Sequence, residues 1–471
     1  MLKRGKLFLV ILSVPFFSAA QKTWTLQECV DHALKNNIQI KQTELNLDLA
    51  DVNKDQSLFN MFPSLNAGAS HNSYLGRSVD PTTYQFTTSE IRSSNFSLTS
   101  SLTIFEGFQL QNSLKQSKLN YLSAKFDLEK IRNDISLNVV TFYLQVLYNK
   151  DLVKQAQEQT EASKTQRDKL KEMENLGAAS RGNLLDMEAQ LASDELRLVN
   201  AQSQYDAAVL SLAQLLELET VVGFSVDTLS FAAPLVDISS LNVSSIYEAA
   251  LKTQPDIKSS EYKVESARKG LSIARSASYP RLSLSGSISS AYSSSGQRGV
   301  QPWDTVAYES GYTSSFDTVY SVSIVPTIEK TPFSDQLDEN LSKSIGFNLV
   351  IPLFNGWQTR AGIRRAKIYL RQSQLNDEST RKSLFKSVQQ AVNDVAAANN
   401  RFSAALRSAD ALSESYNFNE QKFNLGMLNS YDFLISKNNY SKSQADLLQA
   451  KYDLIFKLKI LDFYMGKPLT F

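Results

Sequence analysis

The chain has 471 residues, 42% of them hydrophobic, and its 49 Lys and Arg residues almost balance its 48 Asp and Glu residues. This near-neutral charge excludes the strongly basic surface that nucleic-acid-binding proteins use. A single cysteine, Cys29, excludes an internal disulfide framework, and the two histidines lie in different segments without metal-ligand spacing. Because phosphate-binding and nucleophile motifs are also missing from the sequence, we predict a protein that is not an enzyme and has no metal or cofactor.

The first 20 residues predict a secretory signal peptide. Lys3, Arg4 and Lys6 precede the apolar run LFLVILSVPFF, and small residues at 18–20 precede a predicted cleavage site. The mature chain is therefore expected to begin at Gln21. Downstream, no run of 18 apolar residues predicts a membrane-spanning helix.

Two halves of the chain carry similar sequences at nearly constant spacing. The stretch FPSLNAGAS at 62–70 corresponds to YPRLSLSGS at 279–287, 217 positions later. The corner FEGF at 105–108 corresponds to FNGW at 354–357, 249 positions later. We interpret this pattern as an internal duplication in which each copy has a helix, two strands, a long helix and a further helix. The predicted domains are the first repeat (21–220), an equatorial linker (221–245) and the second repeat (246–471).

Each repeat contains two strands of about ten residues, in which apolar residues alternate with small polar ones. Strands of this length can cross a bilayer at a tilt, and their uncharged polar faces suit a narrow aqueous lumen. Since four strands cannot close a barrel, several chains would have to share one, and three chains would give twelve strands. The alternative is a pair of soluble hairpins that pack their apolar faces on a core. The predicted strands cover residues 64–74, 95–105, 282–288 and 345–353.

Long connections are predicted between the two strands of each repeat, at residues 75–94 and about 294–342. The second connection contains seven acidic residues, two basic residues and several aromatic residues. We expect an ordinary exposed loop with some of its aromatic side chains at a membrane interface. A plug or a surface-binding loop is the alternative.

The helical segments are unusually long. One helix is predicted from 33 to 60, and residues 109–175 contain neither Pro nor Gly, which predicts a rod of about 100 Å. A further helix is predicted from 183 to 217. Its apolar residues recur every seven positions, as do those 249 positions later, which predicts a coiled-coil seam. The seam residues are Leu184, Leu191, Leu198, Tyr205 and Leu212, and Phe433, Tyr440, Leu447, Leu454 and Leu461.

These features together resemble the TolC-like outer membrane efflux protein family. The resemblance spans residues 24–468 and rests on the duplicated order of elements, the F-P and Y-P strand starts, the FEGF and FNGW corners and the Leu-Gly turns before Leu-rich coils. It implies an α+β membrane protein with long antiparallel coiled-coil helices and four transmembrane β-strands per chain. It also implies a homotrimer whose 12-stranded β-barrel lies in outer membrane lipid and continues into an α-helical tunnel in the periplasm.

The resemblance also implies roles for individual residues. In this family the tunnel narrows just after the helix-turn glycines, which correspond here to Gly177 and Gly426. Asp432 matches the first acidic ring position of the family's gate, whereas the second ring position is occupied by Ile435. Asp186 is a further gate candidate. The alternative for Asp432 is a helix N-terminal cap, and strand-start prolines are predicted at Pro63 and Pro280.

The function implied by the resemblance is that of a passive exit duct in a tripartite efflux system. Energy would come from an inner-membrane pump of the resistance-nodulation-division or ABC class, connected through a periplasmic adaptor (membrane fusion protein). The tip turns at 174–183 and 423–432 are the expected contact sites. Two alternatives stay open: a type I protein secretion duct of the same architecture, and a periplasmic structural coiled-coil protein.

Overall fold

The computed structural model describes residues 23–79, 84–88, 90–227 and 241–467. The predicted signal peptide and most of the predicted linker lie outside these residues. The described chain forms two compact units, of which one comprises Asp51–Leu119 and Glu265–Gln372 and the other the remaining described segments. Each unit draws on both halves of the sequence. We refer to them as the strand unit and the helical unit.

The elements of the first half are β1 (Thr23–Trp24), α1 (Leu26–Asn36), α2 (Ile38–Phe59), β2 (Ser64–Tyr74), β3 (Ser78–Val79), β4 (Phe86–Thr87), β5 (Ile91–Glu106), α3 (Gln109–Asn175), α4 (Arg181–Leu215) and β6 (Ser225–Val226). Those of the second half are α5 (Val243–Thr253), α6 (Pro255–Ser276), β7 (Arg281–Ser293), β8 (Gln297–Tyr312), β9 (Thr318–Lys330), α7 (Phe333–Glu339), β10 (Ser342–Val350), α8 (Gln358–Asn424) and α9 (Ser430–Tyr464).

The two longest helices, α3 and α8, each contain 67 residues, and the helices that follow them each contain 35. The prediction of an uninterrupted helix over 109–175 is confirmed at both ends. The predicted seam is also confirmed, because Leu191, Leu212, Phe433, Leu454 and Leu461 are buried and the other seam residues are partly buried. At 1.5 Å per residue, each 67-residue helix is about 100 Å long.

The prediction of one helix from 33 to 60 is wrong, because the chain forms α1 and α2 with a break at Asn37. The Asn37 backbone is extended, and its side-chain Oδ1 accepts hydrogen bonds from the backbone N–H groups of Gln39 (3.0 Å) and Ile40 (3.4 Å). An asparagine in this arrangement caps the next helix and ends the previous one. The start of α1, which was also missed, is fixed by a capping box between Thr25 and Glu28.

The largest core of the helical unit joins α1, α3, α4 and α9. Tyr143 of α3 is fully buried at its centre, and its hydroxyl donates a 3.1 Å hydrogen bond to the backbone oxygen of Asp227. That residue follows β6, which pairs in parallel with β1. A second core packs α5 and α9 against the middle of α8 around Val388 and Leu461. The burial of these apolar side chains holds the long helices side by side.

The strand unit contains an antiparallel sheet with the strand order β10–β7–β5–β2. All four predicted strands take part in it, although β10 ends at Val350 rather than at residue 353. The central pair joins the two halves of the sequence, since β5 is hydrogen-bonded to β7. Among the described residues, β2 and β10 pair on one side only and are therefore the edges of this sheet.

The expectation of an ordinary loop at 294–342 is wrong. Residues 297–330 form an antiparallel hairpin, β8–β9, and residues 333–339 form α7. Val, Ile, Tyr and Thr residues in β9 favour a strand. At the base of the hairpin, the buried Gln336 side chain accepts a hydrogen bond from Ser293 N (2.9 Å) and donates to Thr331 O (2.9 Å). In the first half, the described residues of the corresponding connection form the short pair β3–β4.

None of the described helices combines the length and the apolar character that a membrane span requires.

Candidate functional site

Away from the ends of its strands, one face of the four-stranded sheet carries small or polar side chains without charge. Its hydroxyl groups interact across strands, for example Ser64 with Ser101 (2.9 Å between Oγ atoms) and Ser287 with Ser344 (2.8 Å). The strand register places the following residues on this face: Ser64, Asn66, Gly68, Ser70, Asn72, Asn95, Ser97, Thr99, Ser101, Thr103, Ser283, Ser285, Ser287, Ser289, Ala291, Ser342, Ser344, Gly346 and Asn348. A face of this composition binds water and carries no net charge.

The opposite face of the sheet is apolar and open to solvent. Leu65 is 70% exposed, Ile345 78% and Phe347 72%, so the face extends from one edge strand to the other. At one end, Phe333 of α7 packs edge-on against Phe96, with ring centroids 6.3 Å apart. A soluble monomer rarely leaves an apolar surface of this extent uncovered. Among the residues described, this face does not pack on a core, as the alternative of soluble hairpins requires.

The two helix-turn glycines occupy equivalent backbone conformations. Gly177 follows α3 with φ +72°, and Gly426 follows α8 with φ +73°. In both turns the next residue donates a hydrogen bond to a carbonyl at the helix end, from Ala178 N to Met173 O (2.7 Å) and from Met427 N to Lys422 O. This is the Schellman arrangement, which requires a left-handed residue and therefore favours glycine.

Asp432 lies in the first turn of α9 and is exposed. The alternative interpretation, that Asp432 is the N-terminal cap of α9, is wrong because Asn429 occupies that position. Asn429 Oδ1 accepts a 2.8 Å hydrogen bond from Asp432 N, and Asn429 Nδ2 donates a 2.8 Å bond to Asp432 Oδ2. The carboxylate therefore stabilises the helix N-terminus and still faces solvent.

Asp186 lies one turn further into its own helix, α4. Ser430, which is buried, places its Oγ 2.9 Å from Asp186 Oδ2 and 3.2 Å from Asn183 Oδ1. Since Ser430 is the first residue of α9, this contact links the starts of α4 and α9. The structure thus brings Asp186 to the same end of the helical unit as Asp432.

The strand-start prolines lie directly before the strands of the two halves. Pro63 precedes β2, which begins at Ser64, and Pro280 precedes β7, which begins at Arg281. Proline has no N–H group and therefore cannot donate a ladder hydrogen bond, so it suits the position before a strand.

A buried polar cluster was missed by the sequence analysis. Lys437 of α9 is 2% exposed, and its Nζ lies 3.7 Å from Oδ2 of Asp194, a buried residue of α4. Ser163 of α3 hydrogen-bonds to both, and burial lowers the pKa of Lys437. Lys437 lies four positions after the seam residue Phe433 and therefore on the same face of the helix. A lysine on this apolar face is the sequence signal from which the buried cluster could have been predicted.

Within the described ranges, no group of three His, Cys, Asp or Glu side chains is arranged to hold a metal ion. Cys29 is fully buried, and this burial raises the pKa of its thiol to about 12.

Comparison with known proteins agrees with this arrangement of strands and helices. The chain is 21% identical over 443 residues to toxin and drug export protein A of Aggregatibacter actinomycetemcomitans, covering 91% of this chain and 83% of that protein. The fold is similar to the CmeC outer membrane channel of Campylobacter jejuni, with a TM-score of 0.76, 18% identity, and coverage of 94% of this chain and 85% of that one. It is also similar to the outer membrane protein VceC of Vibrio cholerae, with a TM-score of 0.72, 15% identity, and coverage of 94% and 97%.

A profile of the outer membrane efflux proteins matches residues 29–217 and 246–467, which together make up most of the chain. Both matched segments include strands of the amphipathic sheet and a long helix with its glycine turn. The proteins of similar fold are channels rather than enzymes. The chain therefore belongs to the outer membrane efflux protein family.

Proposed function

We propose that three copies of this chain form an outer membrane channel that serves as the passive exit duct of an efflux system. The observation that carries the proposal is the sheet, whose exposed apolar face suits lipid and whose uncharged polar face suits a water-filled lumen. Pairing β10 of one copy with β2 of the next would remove both free edges and give a barrel of twelve strands. The long helices would continue this barrel as a periplasmic tunnel.

The internal duplication supports this assembly. The helices of both halves have equal lengths: 11 and 22 residues before the strands, and 67 and 35 after them. Two similar halves in each of three chains would surround the tunnel with six similar helical hairpins. The domain boundaries at 220 and 245 follow from the same interpretation.

The partners that we propose are a periplasmic adaptor and an inner-membrane pump of the resistance-nodulation-division or ABC class. Contact at the turns 174–183 and 423–432 is supported by exposed apolar side chains there, since Leu176 is 77% exposed, Leu425 75% and Met427 74%. Apolar side chains that a chain leaves uncovered commonly mark protein interfaces. A type I protein secretion duct is a second candidate, supported by the name of the toxin and drug export relative.

The assembly can be tested by the mass of the protein extracted from outer membranes in detergent. The full chain has a mass of 52.6 kDa, so three mature chains give about 150 kDa after correction for bound detergent. A monomer recovered without detergent would contradict the channel and would favour the periplasmic structural coiled-coil protein.

The gate can be tested by conductance in planar bilayers. If Asp432 and Asp186 line the narrow end of the tunnel, Asp432→Asn should lower the preference for cations over anions, and adding Asp186→Asn should lower it further. Asp410→Asn is the matched control, because Asp410 is also exposed and lies within α8. An equal change of selectivity in the Asp410 variant would show that the effect is not specific to the gate.

A further inference from the structure

A row of basic side chains begins shortly after the last strand of the sheet. Between residues 340 and 376 the chain contains six Lys and Arg residues and no Asp or Glu. Four of them follow one another in α8 at intervals of four, three and four residues, which places them on one helix face over about 16 Å. We name this set the basic stripe: Arg360, Arg364, Lys367 and Arg371.

The first three side chains of the basic stripe are exposed and uncompensated. Among the described residues, no acidic side chain forms an ion pair with Arg360, Arg364 or Lys367. Further along the same helix the pattern changes, since Arg381 pairs with Asp377 (2.9 Å) and Lys382 with Glu378 (2.6 Å). Arg360, Arg364 and Lys367 therefore give this part of α8 a positive charge that no acidic side chain of the described ranges neutralises.

An apolar corner adjoins the basic stripe. Leu353 and Phe354, just before α8, are 93% and 88% exposed. The guanidinium carbon of Arg364 lies 5.7 Å from the centre of the Trp357 ring, a cation–π contact. A cavity of about 290 Å³ lies between this corner and the α6–β7 corner, and Phe354, Trp357 and Arg360 contribute to its lining. Cationic and apolar groups thus share one small site.

We propose that the basic stripe and this corner bind the headgroup of an anionic phospholipid in the membrane leaflet that faces the helices. Guanidinium groups pair well with phosphate because two N–H groups can donate to two oxygens at once. Tryptophan and arginine side chains are typical of the headgroup level of a bilayer. A soluble anion would use the charges alone, whereas a phospholipid also covers Leu353 and Phe354 with its acyl chains.

The proposal rests on the proposed function, since it needs the sheet to lie in a membrane. It also assigns the lipid site to one half of the chain. At the positions 249 residues earlier, only Lys115 and Lys118 are basic, and Gln111 and Leu122 correspond to Arg360 and Arg371. The first half therefore provides two of the four charges at the matching place.

Trp357 provides a local probe of the lipid. We would replace Trp24 and Trp303 by Phe, reconstitute the full mature protein in vesicles, and compare quenching by phosphatidylglycerol and phosphatidylcholine with brominated acyl chains. At equal mole fraction, phosphatidylglycerol should quench Trp357 more strongly, with a relative affinity at least tenfold higher. The variant Arg360→Gln/Arg364→Gln/Lys367→Gln should show equal quenching by both lipids. Equal quenching in the unaltered stripe would overturn the proposal.

A matched control removes the same number of charges elsewhere. Lys164, Lys171 and Lys386 are exposed residues of α3 and α8, and replacing all three by Gln should leave the preference for phosphatidylglycerol unchanged. An equal loss in this control would show a general charge effect and would contradict a local site. In the protein with an unaltered stripe, 1 M NaCl should abolish the preference, because the Debye length then falls to about 3 Å.

Conductance of the same vesicles separates the two proposals. Channels that conduct but show no lipid preference would refute the lipid site and leave the proposed function intact. Vesicles without conductance and without preference would refute both. If the triple variant retained the lipid preference but changed anion selectivity, the stripe would face transported anions instead, and the lipid site would be wrong.

Discussion

The two helical hairpins, α3–α4 and α8–α9, have the same backbone plan and different side chains. Both have helices of 67 and 35 residues, and both turn at a glycine with φ close to +72°. At the cap of the second helix, however, Ser180 stands in the first hairpin and Asn429 in the second. The turn therefore constrains the backbone conformation, whereas the helix start accepts either a serine or an asparagine as its cap.

The packing faces of the hairpins differ more than their turns. Lys437 is buried in α9, whereas Glu188, at the matching position of α4, is exposed. The buried charge pairs with Asp194 of the other hairpin, so the two hairpins contribute unequal partners to one contact. We infer that this cluster fixes how α9 packs on α3 and α4. If the helices shifted, Lys437 would be buried away from the carboxylate of Asp194, and burying a charge without its partner is costly.

The largest effect is expected from breaking this asymmetric contact. Lys437→Ala should lower the free energy of unfolding by about 3 kcal/mol, because the buried Asp194 would keep only the longer ion pair with Arg197 (3.6 Å). Thermal unfolding of the detergent-solubilised protein, followed by circular dichroism, measures the loss. Glu188→Ala is the matched control and should change stability by less than about 0.5 kcal/mol.

The double variant Lys437→Met/Asp194→Leu sharpens the test. Since both charges are replaced by apolar groups, most of the stability lost in Lys437→Ala should return. A double variant as unstable as the single one would show that the cluster stabilises by its shape and hydrogen bonds to Ser163 rather than by charge compensation.

A second difference lies at the far ends of the two 35-residue helices. Gly466 follows α9 with φ +72°, and Glu217 follows α4 with φ +57°. A Cβ atom at Gly466 would lie 2.8 Å from Cγ2 of Thr253, whereas at Gly426 it would meet no atom within 4 Å. We therefore expect Gly466→Ala to cost about 2 kcal/mol and Gly426→Ala about 1 kcal/mol.

The reverse change at the matching position is the control. Glu217→Gly should relieve left-handed strain and alter stability by less than about 1 kcal/mol, since relief is offset by the greater entropy of glycine in the unfolded chain. The unfolding temperatures of Gly466→Ala, Gly426→Ala and Glu217→Gly, measured in the same buffer, show which variant loses the most stability. A loss in Glu217→Gly as large as that in Gly466→Ala would mean that strain is not what distinguishes these ends.

The periodicity of apolar residues in the sequence predicted the long helices and the four strands of the sheet. Residues 109–175 lack helix breakers, so their helix could be bounded at both ends from the sequence alone. The break at Asn37 was missed because a capping asparagine within a helical pattern looks like any polar surface residue. The β8–β9 hairpin was missed because its residues are rich in turn formers and acidic groups as well as in β-branched ones.

The side-chain contacts of the candidate site could not be predicted from the sequence, because they depend on tertiary structure. Asp432 and Asp186 could be named from their distance to a glycine, but the bonds that orient them come from Asn429 and Ser430. Similarly, the partners of Lys437 are 243 and 274 positions away in the chain, and no local pattern specifies such pairs. Ring positions, pump contacts and the trimer stay predictions until the experiments above are made.

A third difference between the halves concerns Cys29, which corresponds to Ile246 at the 217-residue spacing. Both side chains are buried, but only the thiol ionises. Its pKa is raised by burial to about 12 from an ordinary value of 9.0, so the unfolded chain loses this proton first as pH rises. The contribution of this thiol to the free energy of unfolding is therefore fully present below pH 9. It declines by about 1.4 kcal/mol per pH unit between pH 9 and pH 12.

The variant Cys29→Val removes the thiol, so its pH dependence of stability can be compared with that of the unaltered chain. Unfolding in denaturant between pH 9 and pH 11 should show a steeper loss of stability in the unaltered chain than in the variant. Alkylation by iodoacetamide provides a second readout, since the thiol should react only after unfolding. Identical pH profiles for the two chains, or rapid alkylation of the native protein, would contradict the burial of the thiol.

The smallest effect is expected from making the second strand connection as short as the first. Replacing residues 297–330 by a short Gly-Ser turn removes β8 and β9 but retains Gln336 and the pairing of β7 with β10. Because the four-stranded sheet makes its own hydrogen bonds, its stability should change by less than about 0.5 kcal/mol. Gln336→Ala should cost more, about 1–3 kcal/mol, because Ser293 N would lose its buried acceptor. If the deletion were the more damaging change, the β8–β9 hairpin would be shown to stabilise the four-stranded sheet.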